Sequence, residues 1–221
     1  MSDPTVIARK VETFLASHPR LSVGLGTWDE PCSIAAINLA LTGELTDMVP
    51  DCMSLVIGDW IKVVQDAMPA EMRDSTEWRG LLPAAAGTGR DHERERARLD
   101  VLLDNMWSVV LPLAQPIADK RGFGSEWQEM CDERTSKAAF WAAAASDWAN
   151  DYAYQVGLAA THAGYAADMA AFSPACAVGN VAIVYPTVIR SIAWNRPNTG
   201  AVTDAWATID PPGLLARMIA A

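Results

Sequence analysis

The sequence is poor in the residues from which most catalytic and metal sites are built. Its 221 residues include only three histidines, four cysteines, four phenylalanines and four tyrosines. His18, His92 and His162 offer no pair at zinc-finger or helical i, i+4 spacing. Cys32, Cys52, Cys131 and Cys176 contain no Cys-x-x-Cys and are too scattered for a disulfide framework, so reduced thiols in a cytoplasmic protein are the expectation. There is no Walker loop and no dinucleotide-binding glycine pattern, and no cofactor is expected.

Positive charge is scarce as well. Lys and Arg total 17 against 27 Asp and Glu, a formal net charge of −10. A surface offered to nucleic acid or to anionic lipid would oppose that average field, so neither is an expected partner. The opening MSDPTVIARK lacks a basic stretch followed by an apolar run, and nowhere do ~18 apolar residues follow one another. Neither a signal peptide nor a membrane span is expected.

What the chain does hold is apolar material: 51% hydrophobic residues against 20% charged. That balance excludes disorder of the highly charged, weakly hydrophobic kind. At this length ~70% of the unfolded surface can be buried on folding.

Helical signals recur along the chain. Asp3-Pro4 reads as a cap with proline in the first turn, followed by Ile7, Val11, Phe14 and Leu15 at helical spacing to about Ser17. A second helix opens at Pro31 behind Asp29 or Glu30 and closes near Gly43. Its interior SIAAINLALT is apolar on most sides and predicts deep burial. A third starts at Pro50-Asp51, carries Cys52, Val56, Trp60, Val63 and Ala67 on one face with Met53, Ile57, Ile61, Val64 and Met68 beside it, and stops at Pro69. From Asp91 a longer helix bears the stripe Leu99, Leu102, Leu103, Met106, Val110 and Leu113, which Pro112 and Pro116 should kink or end.

GFGS at residues 122–125 marks a turn and the expected boundary between an N-terminal helical half, 1–121, and an Ala-rich helical half, 122–221, packed as one domain. In the second half, alanine dominates a proline-free stretch that predicts two tightly packed helices, with Ala160, Gly164 and Ala167 allowing close approach. VAIVYPTVIRSIAW, residues 181–194, has the β-branched content of a strand, yet its length and lack of alternation favour a buried helix. Asp210-Pro211-Pro212 opens a terminal helix whose Leu214, Leu215 and Met218 should dock on the core. The fold class expected is all-α, with eight to ten helices in an orthogonal or bundle-like domain and at most a minor strand near 21–27 or 181–185.

Cys32 follows a proline at a helix start, where exposed N–H groups favour thiolate. Asp29 and Glu30 oppose a second anion there, and free cysteine ranks among the most buried residue types. Filler is therefore favoured for Cys32, and for Cys52 by the same argument. His92 and Glu95, three apart on one helix, are the nearest approach to a metal pair, and Asp151 and His162 lie about three turns apart on nearly one face of another. The Glu-x-x-His pairs of di-iron bundles are missing. The catalytic candidates are thus Cys32, His92, Asp151 and His162, and the candidate metal ligands are His92 and Glu95.

DHERERARLD, residues 91–100, is the most charged stretch. Its Glu93–Arg96 and Glu95–Arg98 pairs, each worth ~0.2–0.5 kcal/mol, read as a solvated helix start capped by Asp91. The preceding Gly87-Thr88-Gly89-Arg90 has the composition of an anion cradle with Arg90 as counter-charge, although a plain connector explains it more simply. Nine tryptophans are many for this length. The seven-residue interval between Trp141 and Trp148 favours a core or oligomer-interface stripe over a ligand pocket.

WDEPCSIAAINLALTGE, VPDC, IGDWIKVVQDAMP and LLPAAAGTGRDHERERARLD, in that order, resemble helical proteins of actinobacterial and phage genomes that pair two cysteine-bearing helix starts. The likeness covers roughly residues 21–115 and the terminal LLARMIA. It implies a helical fold and carries no activity, so it assigns no catalytic residue. The function expected is a non-enzymatic interaction or scaffold protein that self-associates as a homo-oligomer or binds a protein partner. The competing expectation is a small-molecule-binding protein or enzyme with a pocket between the halves.

Overall fold

A computed structural model describes residues 3–149, 154–195 and 199–221. The chain is all-α. In order, the helices are α1 (Pro4–Ser17), α2 (Ser33–Thr42), α3 (Leu55–Ala67), α4 (Ala70–Arg73), α5 (Thr76–Ala86), α6 (His92–Asn105), α7 (Gln115–Arg121), α8 (Gly124–Glu133), α9 (Ser136–Ala149), α10 (Tyr154–Ala170), α11 (Pro174–Asn195), α12 (Thr199–Ile209) and α13 (Pro211–Ala220). Among the described residues there is no strand, and residues 21–27 contribute only the isolated bridge Gly26–Pro31. Residues 181–194 lie within α11.

Two compact units divide the chain. The first comprises residues 1–98 with 211–221, and the second residues 99–210. The boundary expected at residue 122 therefore falls inside the second unit. The terminal helix is what moves the division, because α13 packs on α5 and α3.

In the first unit, Asp3 caps α1 by accepting from Thr5 N–H at 2.8 Å, and Ile7, Val11 and Leu15 face the core while Phe14 stays half-buried. The second helix starts two residues later than its proline suggests. Pro31 is held in the bridge to Gly26, Cys32 is still extended, and α2 then runs to Gly43, whose φ of 75° closes it as a left-handed cap. Similarly, residues 50–53 form a turn, and α3 begins behind Ser54, whose Oγ accepts from Ile57 N–H at 3.1 Å. Trp60 of α3 and Trp78 of α5 are fully buried with ring centroids 6.0 Å apart. Each such ring contributes roughly 1.5–3 kcal/mol through burial. Helices α4 and α5 carry no strong sequence signal, since Pro83 sits inside α5.

In the second unit, Pro112 neither ends nor sharply breaks the helix. Lacking an N–H, it is absorbed by a π turn over Met106–Val110, with Leu111 N–H reaching Met106 O, followed by a 3-10 turn over Leu111–Ala114. The indole N–H of Trp127 donates to Leu111 O at 3.0 Å, tying α8 to this turn. Pro116 falls in the first turn of α7, where a missing N–H costs nothing, and Gly122 at φ 87° stops the helix. A buried Tyr185 hydroxyl on α11 donates to Asn105 Oδ1 at 2.9 Å.

Helices α9 and α10 pack through small residues. A Cβ on Gly164 would stand 3.2 Å from Ala139 Cβ and 3.5 Å from Ser136 O, and Gly157 faces Ser146 and Ala143 O in the same way. Ala160 and Ala163 are also buried in this unit. By length and composition, two helical stretches qualify as membrane spans, residues 92–121 and Pro174–Asn195. Half of the first apolar window and 67% of the second are buried within the protein, as in core helices.

Candidate functional site

Cys32 is buried, and its Sγ accepts from Ala35 N–H at 3.3 Å as the cap of α2. Burial pushes its thiol up, against the opposing pull of that N–H. Burial also raises Cys52, with Asp51 adding to it, and Cys131 is pushed up to about 12 by burial and Asp132. Cys176 is exposed. His162 pairs with Asn180 at 2.9 Å on the second unit, His92 is exposed on the first, and Asp151 lies outside the described residues. Among the described residues, no three His, Cys, Asp or Glu side chains are placed to hold a metal ion.

The charged stretch at the start of α6 is where the structure departs furthest from expectation. Asp91 does cap, accepting from Arg94 N–H at 3.0 Å. Arg98, however, is fully buried, and so is most of Glu95. The Arg98 guanidinium donates to Glu95 Oε1 at 2.9 Å, to Thr88 O and Gly89 O, and to Met218 O of α13. Glu95 Oε2 accepts from Val56 N–H at 3.0 Å, occupying a free donor at the start of α3. Glu95 is thereby committed to an internal knot, while its expected metal partner His92 points to solvent.

Arg90 is similarly engaged. It donates to Met53 O and Val49 O and pairs with Asp51 at 3.0 Å, while Gly89 N–H donates to Cys52 O and Thr88 Oγ1 accepts from Ser54 N–H. The GTGR segment is a staple between loops, and its cation is taken up by the chain's own oxygens. Open hollows of about 490, 540 and 510 Å³ lie at α7–α12, along α1 and beside α4. None of the three is lined by Cys32, Arg90, His92 or His162.

The tryptophans split. Trp60, Trp78, Trp107, Trp127 and Trp206 are buried, whereas Trp141, expected in a core or oligomer-interface stripe, is 65% exposed, which rules out the core alternative for it. Its stripe partner Trp148 has a side chain outside the described set. Trp141 belongs to a set of outward aromatic residues on α9, α10 and the turn after α10: Phe140, Trp141, Tyr154, Tyr165 and, in that turn, Phe172, which is 83% exposed. Phe140 and Tyr165 meet edge-on across the two helices with centroids 5.8 Å apart. Tyr154 and Tyr165, eleven residues apart, fall on one side of α10.

No protein family, curated protein or solved structure matches this chain.

The aromatic face follows from the seam behind it. Because Gly157, Gly164, Ala139 and Ala143 bring the helix axes close, the large rings find no room between α9 and α10 and turn outward. The alternation of small and aromatic residues in KAAFWAAAA and in GLAATHAGYAA is the signal that finds this face in the sequence.

Proposed function

We propose that this protein is a non-enzymatic helical interaction protein that self-associates through the aromatic face of α9 and α10. The observation that carries the reading is the set of five exposed rings, four on two adjoining helices and Phe172 in the turn after them. With ~200 Å² per ring, their exposed fractions amount to about 600 Å². That is a sum over separate rings, of which Phe140 and Tyr165 are in contact, and it stands below the ~800 Å² that each partner contributes to a standard interface. Aromatic residues also dominate the energetics of such contacts.

A second copy is the occupant that fits best. Lys137, Asp147 and Asp168 are exposed on the same two helices, one cation and two anions. In a two-fold interface the same patch meets itself, so a patch carrying both signs can complement itself where a patch of one sign cannot. The four free thiols suit a reducing, cytoplasmic setting.

Sedimentation velocity over a micromolar to submillimolar range tests the reading. The wild-type chain is expected to shift from monomer to dimer, and Trp141→Glu with Tyr165→Glu to weaken the association by about tenfold or more while leaving the circular dichroism unchanged. A wild-type protein that stays monomeric throughout, or a double variant that dimerises equally well, defeats it.

A further inference from the structure

The hollow along α1 has a different chemistry from the aromatic face. Val6, Phe14, Leu39 and Ala40 give it an apolar floor, and Arg9 and Lys10 stand on its rim. Val6 is 48% exposed, although it is a large apolar side chain on a regular helix. Thr13 and Ser17 also line the groove, but their hydroxyls already donate to Arg9 O and Phe14 O at 2.8 Å. Their oxygens remain able to accept, so the groove offers apolar contact, two cations and two hydroxyl acceptors. Neither cation has an ion-pair partner among the described residues, in a chain whose net charge is −10.

The shape narrows the occupant. From Val6 to Ser17 the groove follows α1 for ~16 Å at 1.5 Å per residue, the length of about three helical turns. An open groove of this length, with apolar side chains of α1 and Leu39 and Ala40 of α2 on its floor and two cations on its rim, matches a helix lying in a groove, whose apolar side chains at i, i+3, i+4 and i+7 meet the floor. We infer that this groove receives an acidic amphipathic helix of a protein partner, its carboxylates paired with Arg9 and Lys10. This binding is independent of self-association, because it uses α1 and α2 only.

The test uses the full chain and two labelled synthetic peptides of about four turns. Both carry leucine at i, i+3, i+4 and i+7, one with glutamate and the other with lysine at the remaining positions. Fluorescence anisotropy should show the glutamate peptide binding to the wild type and the lysine peptide binding at least about tenfold more weakly, even though the overall charge of the protein favours the lysine peptide. Arg9→Glu with Lys10→Glu should reverse this order, and because both side chains are exposed the double variant should melt like the wild type. Val6→Asp should weaken the glutamate peptide without touching the cations. Equal binding of the two peptides, an order unchanged by the charge reversal, or saturable binding of laurate with no binding of the glutamate peptide would each overturn the inference.

Discussion

Glu95 and Arg98 form an ion pair at 2.9 Å with the guanidinium wholly out of solvent, one helical turn from where α6 begins. The pair binds four segments of the first unit: the start of α3 through Val56, the GTGR loop through Thr88 and Gly89, α6 itself, and α13 through Met218. Removing one partner strands the other as a buried charge. Arg98→Met should therefore cost about 3–5 kcal/mol, whereas Glu95→Gln with Arg98→Met should cost less than the sum of the single changes. Urea unfolding of the two singles and the double variant measures this, and strict additivity would show that the pair is not coupled.

Thiol chemistry should separate the four cysteines. Cys176 is exposed, Cys52 is half-buried, and Cys32 and Cys131 are buried with thiols raised by desolvation. Since the thiolate is the reacting form, DTNB at neutral pH should modify Cys176 first, Cys52 slowly, and the other two only on unfolding. Mass spectrometry of the labelled native protein identifies the sites. Rapid native modification of Cys32 would restore it as a reactive thiol.

Burial of Cys32 as filler was legible in the sequence, because acidic neighbours and an apolar continuation both argue against a thiolate. Its use of Sγ as the cap of α2 was not, since Asp29 and Glu30 are the stronger capping types. Helices α1 and α13 were legible because a cap, a proline and an apolar stripe agree in each. The fate of Arg98 was hidden for a different reason. A glutamate and an arginine three apart look the same on a solvated face and in a core, and the cover here comes from α13, 120 residues away in sequence. Trp141 shows what spacing leaves open: an interval of seven says which rings share a side of a helix, and the choice between core and outer face needed the structure.

The α9–α10 seam makes Gly157 a sensitive position. A methyl group there would meet the Ser146 hydroxyl, which is buried and donates to Ala143 O at 2.7 Å. Gly157→Ala should destabilise the protein by about 1–3 kcal/mol through overpacking. Ser146→Ala removes the obstructing oxygen, so adding it to Gly157→Ala should recover most of the loss. Thermal unfolding of the three variants decides the matter, and a double variant no better than Gly157→Ala would place the strain elsewhere.

Asp59 gives the fold a pH dependence of known sign. It sits half-buried on α3, and burial raises its carboxyl above the ordinary value of 3.8, with Lys62 and Arg90 pulling the other way and Glu95 adding to the rise. The folded chain therefore holds this proton more tightly than the unfolded chain does. Well below the ordinary value both states are protonated and the group is neutral in its effect. As pH rises through that value toward the folded one, the unfolded chain ionises first and stability falls, and above the folded value the penalty stays constant. Asp59→Asn removes the ionisation, so it should raise the melting temperature relative to the wild type at pH 7 and lose that advantage near pH 3, below the 3.8 reference. Paired melting curves across that interval test it, and an Asn variant less stable at pH 7 than at pH 3, relative to the wild type, would show that the ionised carboxylate is stabilised by Lys62 and Arg90 more than burial opposes it.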